Sequence, residues 1–106
     1  MVSLADFKKC EIIIARIIDA QEHPDADKLY VLKVDTGNGE KQLVAGIRSS
    51  YAKEELPGKQ IAMINNLEPA VIRGIESQGM LLAASDENGI VLLSPEKPIA
   101  TGSTVR

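Results

Sequence analysis

A small all-β barrel is the fold class this sequence predicts, and two observations predict it. Short apolar or β-branched segments of about four to eight residues recur along the chain, each closed by a turn signal, which is the spacing of a barrel or sandwich. The 106 residues are 44% hydrophobic but only 3% aromatic. That length suits a single domain, residues 1–106, that hides enough surface for one aliphatic core without metal or disulfide staples.

Each element has a local reason. Ser3 is placed to cap a helical turn over Leu4 to Lys9, with Asp6 three residues on as an imperfect capping box. Ile12 to Ile18 is rich in stiff β-branched side chains and reads as the first strand, ended by His23-Pro24-Asp25-Ala26-Asp27. Leu29 to Asp35 and Gln42 to Ala45 form the next two strands. Thr36-Gly37-Asn38-Gly39-Glu40 joins them, with residues that tolerate the positive φ of hairpin turns. Ser50 is expected to cap a second turn through Glu54, stopped by Pro57-Gly58. Ile61 to Ile64 and Met80 to Ala84 complete the strands, and Gly89 to Leu93 pairs as a further short one after the turn Ser85-Asp86-Glu87-Asn88. Five or six such strands with one short connecting helix fit a five-stranded Greek-key barrel of the OB type. An SH3-like barrel fits the periodicity nearly as well.

Several function classes are excluded by what the chain lacks. Cys10 is the only cysteine, so no internal disulfide or zinc knuckle is available, and a reducing compartment, the cytoplasm, is expected. The N-terminus lacks a basic region followed by an apolar stretch, and the longest apolar runs are too short for a membrane span. The only histidine, His23, precedes a proline in an acidic turn, which does not support nucleophilic catalysis. Asp19, Glu22, His23, Asp25 and Asp27 lack calcium-loop spacing and read as a solvated turn, and no phosphate-cradling glycine motif occurs. No enzyme activity, metal or cofactor is expected.

Net charge is −3, which argues against generic nucleic-acid binding. Its distribution says more. Residues 1–27 carry −3, residues 28–73 carry +2, and residues 74–106 carry −2. A local phosphate-tracking patch can therefore sit on an acidic chain. Alternation along the second strand places Lys33 on one face with Leu29 and Val31, and Lys28 on the other with Tyr30 and Leu32. Met80, inside an apolar run, is expected in the core.

Five segments in order resemble the C-terminal tRNA-binding domain of methionyl-tRNA synthetase and its free-standing relatives, the structure-specific tRNA-binding proteins. They are Asp6-Phe7-Lys8-Lys9, the run from His23 to Asp35, Ala45-Gly46-Ile47, Tyr51 to Lys59, and Asn66-Leu67 leading through Arg73-Gly74 to Ser77-Gln78-Gly79-Met80-Leu81-Leu82-Ala83-Ala84. The resemblance implies an OB-fold with short helices and N- and C-terminal extensions. It implies tRNA bound by its overall shape, a methionyl-tRNA synthetase catalytic portion as partner in cis or in trans, and a homodimer built partly by the N-terminal helix and C-terminal segment. Three aromatic residues equip the chain poorly for base stacking and better for phosphate and 2′-hydroxyl contacts.

Carried over by position, the candidate tRNA-binding residues are Lys28, Lys33, Arg48, Asn66, Arg73, Ser77 and Gln78. Four of these have a structural alternative: solubility for Lys33, as for the basic residue Lys59, backbone satisfaction for Asn66, and a bulge shaped by Ser77-Gln78-Gly79. Glu68, Ala70 and Val71 stand where the family usually carries Lys or Arg, and Ile13 where an Arg is common. These replacements predict weak intrinsic affinity. The competing reading is an OB-fold dimerisation or assembly module with little tRNA binding, with a chaperone-like peptide binder behind it.

Overall fold

The computed structural model describes every residue from Met1 to Arg106. Ser3 caps helix α1 (Leu4–Lys8), its Oγ accepting from the Asp6 N–H at 3.1 Å. The helix is only five residues long and buries none of them.

Strand β1 (Ile12–Glu22) outruns its apolar stretch because it serves two neighbours. Residues 12–16 pair with β4 (Gln60–Ile64), and residues 16–22 pair with β2 (Tyr30–Asp35). A register shift between Ile17 and Asp19 divides the two halves, a bulge that bends the strand around the barrel. β2 then pairs with β3 (Glu40–Ala45) through the expected hairpin. The main sheet runs β3-β2-β1-β4-β7, where β7 is Met80–Leu81, and every pairing in it is antiparallel. This is the strand order of a five-stranded OB-like barrel.

Closure falls between β7 and β3, and residues 77–79 make it. The Gln78 N–H donates to the Gln42 carbonyl at 2.7 Å, and the Val44 N–H donates to Ser77 Oγ at 3.0 Å. Gly79 passes so close to the core that a Cβ there would lie 2.8 Å from Met63 Cε and 2.9 Å from the Ile64 carbonyl oxygen. Only glycine lets the seam shut.

The interior is aliphatic, as the composition requires. Ile17, Leu32, Val34, Leu43, Ile61 and Met63 are its buried centre, while the only phenylalanine, Phe7, lies outside it on the exposed helix. A C-terminal segment pairs along the edge of early β1 that β4 leaves free. β10 (Thr104–Val105) pairs with Ile12 and Ile13, and the Ile14 N–H donates to the Ser103 carbonyl at 2.9 Å.

The structure corrects five sequence expectations. The run Met80 to Ala84 is not one strand, because the chain leaves the barrel at Leu82 and β8 (Ala83–Asp86) pairs outward with β9 (Gly89–Leu92). Met80 is exposed, since alternation in β7 turns Leu81 inward and Met80 out. Ser50 caps no helix. Its Oγ accepts from the Ile90 N–H at 3.0 Å, and the turn at Lys53–Glu55 is a 3-10 helix preceded by Ala52. Lys28 shares no face with Tyr30, because β2 begins only at Tyr30 and Lys28 is exposed in the preceding turn. A further hairpin, β5 (Ala70–Ile72) and β6 (Ile75–Ser77), fills the link between Ile64 and Met80, for which the sequence predicted no element. No helix is long and apolar enough to cross a membrane.

Candidate nucleic-acid interface

The turn between β1 and β2 organises the site. His23 is buried, 3% exposed, and both ring nitrogens have partners. Nδ1 accepts from the Asp25 N–H at 3.0 Å, so Nε2 carries the proton and donates to the Ile72 carbonyl at 3.1 Å. The first contact shapes the turn itself. The second reaches across to the β5–β6 hairpin.

That hairpin turns on Arg73 and Gly74, with φ of 52° and 88°. A two-residue turn of this kind needs positive φ at both positions, which glycine adopts freely and arginine does not. Arg73 uses its place at the tip to send Nη2 to the Asp25 carbonyl at 2.9 Å. Hairpin tip and turn are thus joined twice, side by side.

Arg48 approaches the same turn from the segment after β3. Its N–H donates to the Lys28 carbonyl at 3.4 Å, Nη1 donates to the Ala26 carbonyl at 3.4 Å, and Nη2 donates to Glu22 Oε2. Lys53 also faces Glu22, with Nζ 3.6 Å from Oε1. Glu22 is therefore matched by two cations, and the acidic residues around His23 do not converge into a metal-holding group.

Lys28 and Lys33 remain exposed and outside any ion pair. Lys33 projects from the outer face of β2, with Asp19 of β1 and Gln42 of β3 as its register neighbours. The outer face of strands 2 and 3, flanked by the first turn and the link before the last barrel strand, is where OB-folds hold oligonucleotides. Lys28, Lys33 and Arg73 all border that face.

The other candidates have internal duties. Ser77, 4% exposed, accepts from Val44 and donates to the Gly79 carbonyl at 3.0 Å. Gln78 Oε1 accepts from the Gln42 N–H at 2.8 Å. Asn66 lies at the opposite end of β1, where Oδ1 accepts from the Glu11 N–H at 2.8 Å and Nδ2 donates to the Lys9 carbonyl at 2.7 Å. The structure gathers Lys28, Arg48 and Arg73 around one turn, sets Lys33 on the adjoining strand, and leaves Asn66 apart from them. Sequence reasoning passed over His23 as an organiser and missed the hairpin. The signal for the hairpin was present, since Arg73-Gly74 is an X-Gly pair between two apolar-bearing triplets.

A nearly closed antiparallel barrel whose basic side chains gather beside its first turn defines a binding domain of the OB class. The family model described as "Putative tRNA binding domain" matches residues 12–104. The chain belongs to that family. It is 54% identical over its whole length to a methionine–tRNA ligase of Nanoarchaeum equitans and covers 14% of that protein. The chain spans about one seventh of the length of the first such relatives it matches, those of Nanoarchaeum equitans and Thermococcus onnurineus, at 14% of each. Among solved structures, it is similar to a MetRS related protein from Pyrococcus horikoshii, with a TM-score of 0.92 and 33% identity, covering 100% of this chain and 98% of that one. It is also similar to the CsaA chaperone protein of Picrophilus torridus, with a TM-score of 0.93 and 30% identity, covering 100% of both chains.

Proposed function

We propose that this chain is a noncatalytic tRNA-binding module of a methionyl-tRNA synthetase, joined to the catalytic portion in cis or in trans and working in the cytoplasm. One observation carries the reading. Three basic residues from separate parts of the sequence, Lys28, Arg48 and Arg73, meet at the turn beside the OB-fold's outer face, and Lys33 extends the row. Lys28, Lys33 and the unbonded part of the Arg73 guanidinium contact phosphates. Arg48, Asn66, Ser77 and Gln78 hold the scaffold in register and offer at most their remaining lone pairs and N–H groups.

Binding is by shape. The face offers cations, amides and hydroxyls but no exposed aromatic platform, since Tyr30 is buried and Tyr51 packs against the core. Affinity is low because few cations on this face are free of partners, and it falls with salt because it rests on phosphate contacts. Such a module still raises the effective concentration of tRNA at a linked active site.

The module is a homodimer. Leu4 and Phe7 of α1 are 66% and 43% exposed, and Val91 and Leu93 near the other end of the chain are 62% and 45% exposed. A homodimer built through α1 and the C-terminal segment covers these side chains. Sedimentation at micromolar concentration is expected to show a species of twice 11.4 kDa; a monomer only would remove the dimer. Gel shifts at low salt test the RNA surface. Lys33→Glu and Arg73→Glu should each weaken tRNA binding, and unchanged shifts for both would overturn the assignment.

The same apolar surface supports a second reading, an assembly module that dimerises a synthetase with tRNA binding reduced or lost. No shift with any RNA, alongside intact dimers, would favour it.

A further inference from the structure

The β5–β6 hairpin is anchored at its base by β3, through the contacts of Gln42, Ser77 and Gln78. Its tip is different. Beyond the hairpin's own pairing, the tip makes two hydrogen bonds to the rest of the chain, His23 Nε2 to the Ile72 carbonyl and Arg73 Nη2 to the Asp25 carbonyl. His23 also fixes the conformation of the turn by accepting from the Asp25 N–H. One buried imidazole thus bonds both sides of the junction on which Arg73 sits.

We infer that His23 is a positioning residue for nucleic-acid binding: it latches the hairpin tip to the β1–β2 turn, holding Arg73 in fixed register with Lys28 and Lys33. This rests on the tRNA-binding reading above. The geometry favours an imidazole because the junction needs a donor and an acceptor on opposite sides of one rigid, buried group. Lysine or arginine has no acceptor, and a hydroxyl is too short to bridge from the β1 end to Ile72. Without the imidazole the tip keeps only the bond from Arg73 itself to the Asp25 carbonyl, and the Asp25 peptide loses the N–H bond that fixes it. The guanidinium is then held less firmly beside the lysines. A multi-point phosphate surface loses one point of contact when that alignment is lost.

The test is a double-mutant cycle on the 106-residue chain with tRNA. His23→Leu fills the pocket without the two polar contacts, Arg73→Gln removes the charge, and His23→Gln restores a donor at the position of Nε2. His23→Leu should weaken tRNA binding about five- to tenfold near 0.1 M salt and reduce the salt slope by about one, as the loss of one phosphate contact does. In the Arg73→Gln background it should add less than about twofold, because both changes remove the same contact. His23→Gln should recover most of the affinity. Hydrogen exchange keeps the proposal testable where a variant is destabilised: faster exchange confined to the Asp25 amide and the hairpin supports the latch. Additive losses from His23→Leu and Arg73→Gln, or an unchanged salt slope with the hairpin still protected, would overturn the positioning role while leaving the tRNA reading intact. Wild-type chain that fails to bind tRNA at low salt would overturn both.

Discussion

Ser77 Oγ lies 3.0 Å from the Val44 amide nitrogen and accepts its hydrogen bond, so this buried hydroxyl stands in for a missing strand along the edge of β3. The bond makes Ser77 a component of barrel closure. Ser77→Ala should therefore destabilise the fold by about 1–3 kcal/mol, the usual cost of a buried donor left without its partner. Denaturant melts measure this. The salt slope for tRNA should stay as in the unmodified chain; a stable variant that loses affinity would mean that Ser77 acts on RNA directly.

Gly79 beside Ser77 should be equally intolerant for a different reason. A methyl group there meets Met63 Cε at 2.8 Å and the Ile64 carbonyl oxygen at 2.9 Å, and the second of these is backbone that cannot swing aside. Gly79→Ala should cost about 1–3 kcal/mol through overpacking. A melt within about 0.5 kcal/mol of the parent would show that the seam has room for a methyl group at residue 79.

Arg73 separates binding from stability. At φ 52° an arginine costs about 1 kcal/mol more than a residue suited to the left-handed region, and asparagine is suited to it. Arg73→Asn should hold stability within about 1 kcal/mol of the parent, the relief of strain offsetting the lost bond to Asp25. It should lower tRNA affinity about five- to tenfold. Calorimetry and a binding titration on one preparation check both halves. Affinity equal to the parent's would mean that a strained arginine sits at the tip for some purpose other than phosphate.

Asn66 connects the N-terminal segment to the barrel through the Lys9 carbonyl and the Glu11 N–H. Asn66→Ala should free that segment, costing about 1 kcal/mol. If α1 builds the dimer, self-association should weaken in sedimentation while the tRNA salt slope is unchanged. The reverse pattern, an intact dimer with a reduced slope, would move Asn66 to the RNA surface.

Much of this architecture is written locally. The β2–β3 hairpin follows from alternation in Tyr30 to Asp35 and from glycines at 37 and 39 that take φ of 82° and 116°. The Ser3 cap and strand β4 are local too. What escaped the sequence reading depends on partners far along the chain. Ser77 meets Val44 across 33 residues, Gln78 meets Gln42 across 36, and His23 meets Ile72 across 49. No periodicity encodes those pairings. The hairpin at 70–77 was obscure because its strands are three residues each, too short to show an alternation, and only Ser77 in them is buried. Met80 misled because an apolar run looks continuous even where the chain changes sheets at Leu82. Among the candidate contacts, Lys28 and Lys33 were legible as exposed cations near a turn. The roles of Arg48 and Arg73 beside them emerged only when the fold brought positions 48 and 73 to the same turn.

Titration of the unmodified chain with folded tRNA and with an unstructured RNA of the same length, at low and moderate salt, tests the central claim most directly. Shape-selective binding by the OB face predicts tRNA bound about tenfold or more tighter than the unstructured strand, with affinity falling steadily as salt rises. Equal affinity for the two RNAs, or no binding to either at low salt, would contradict it.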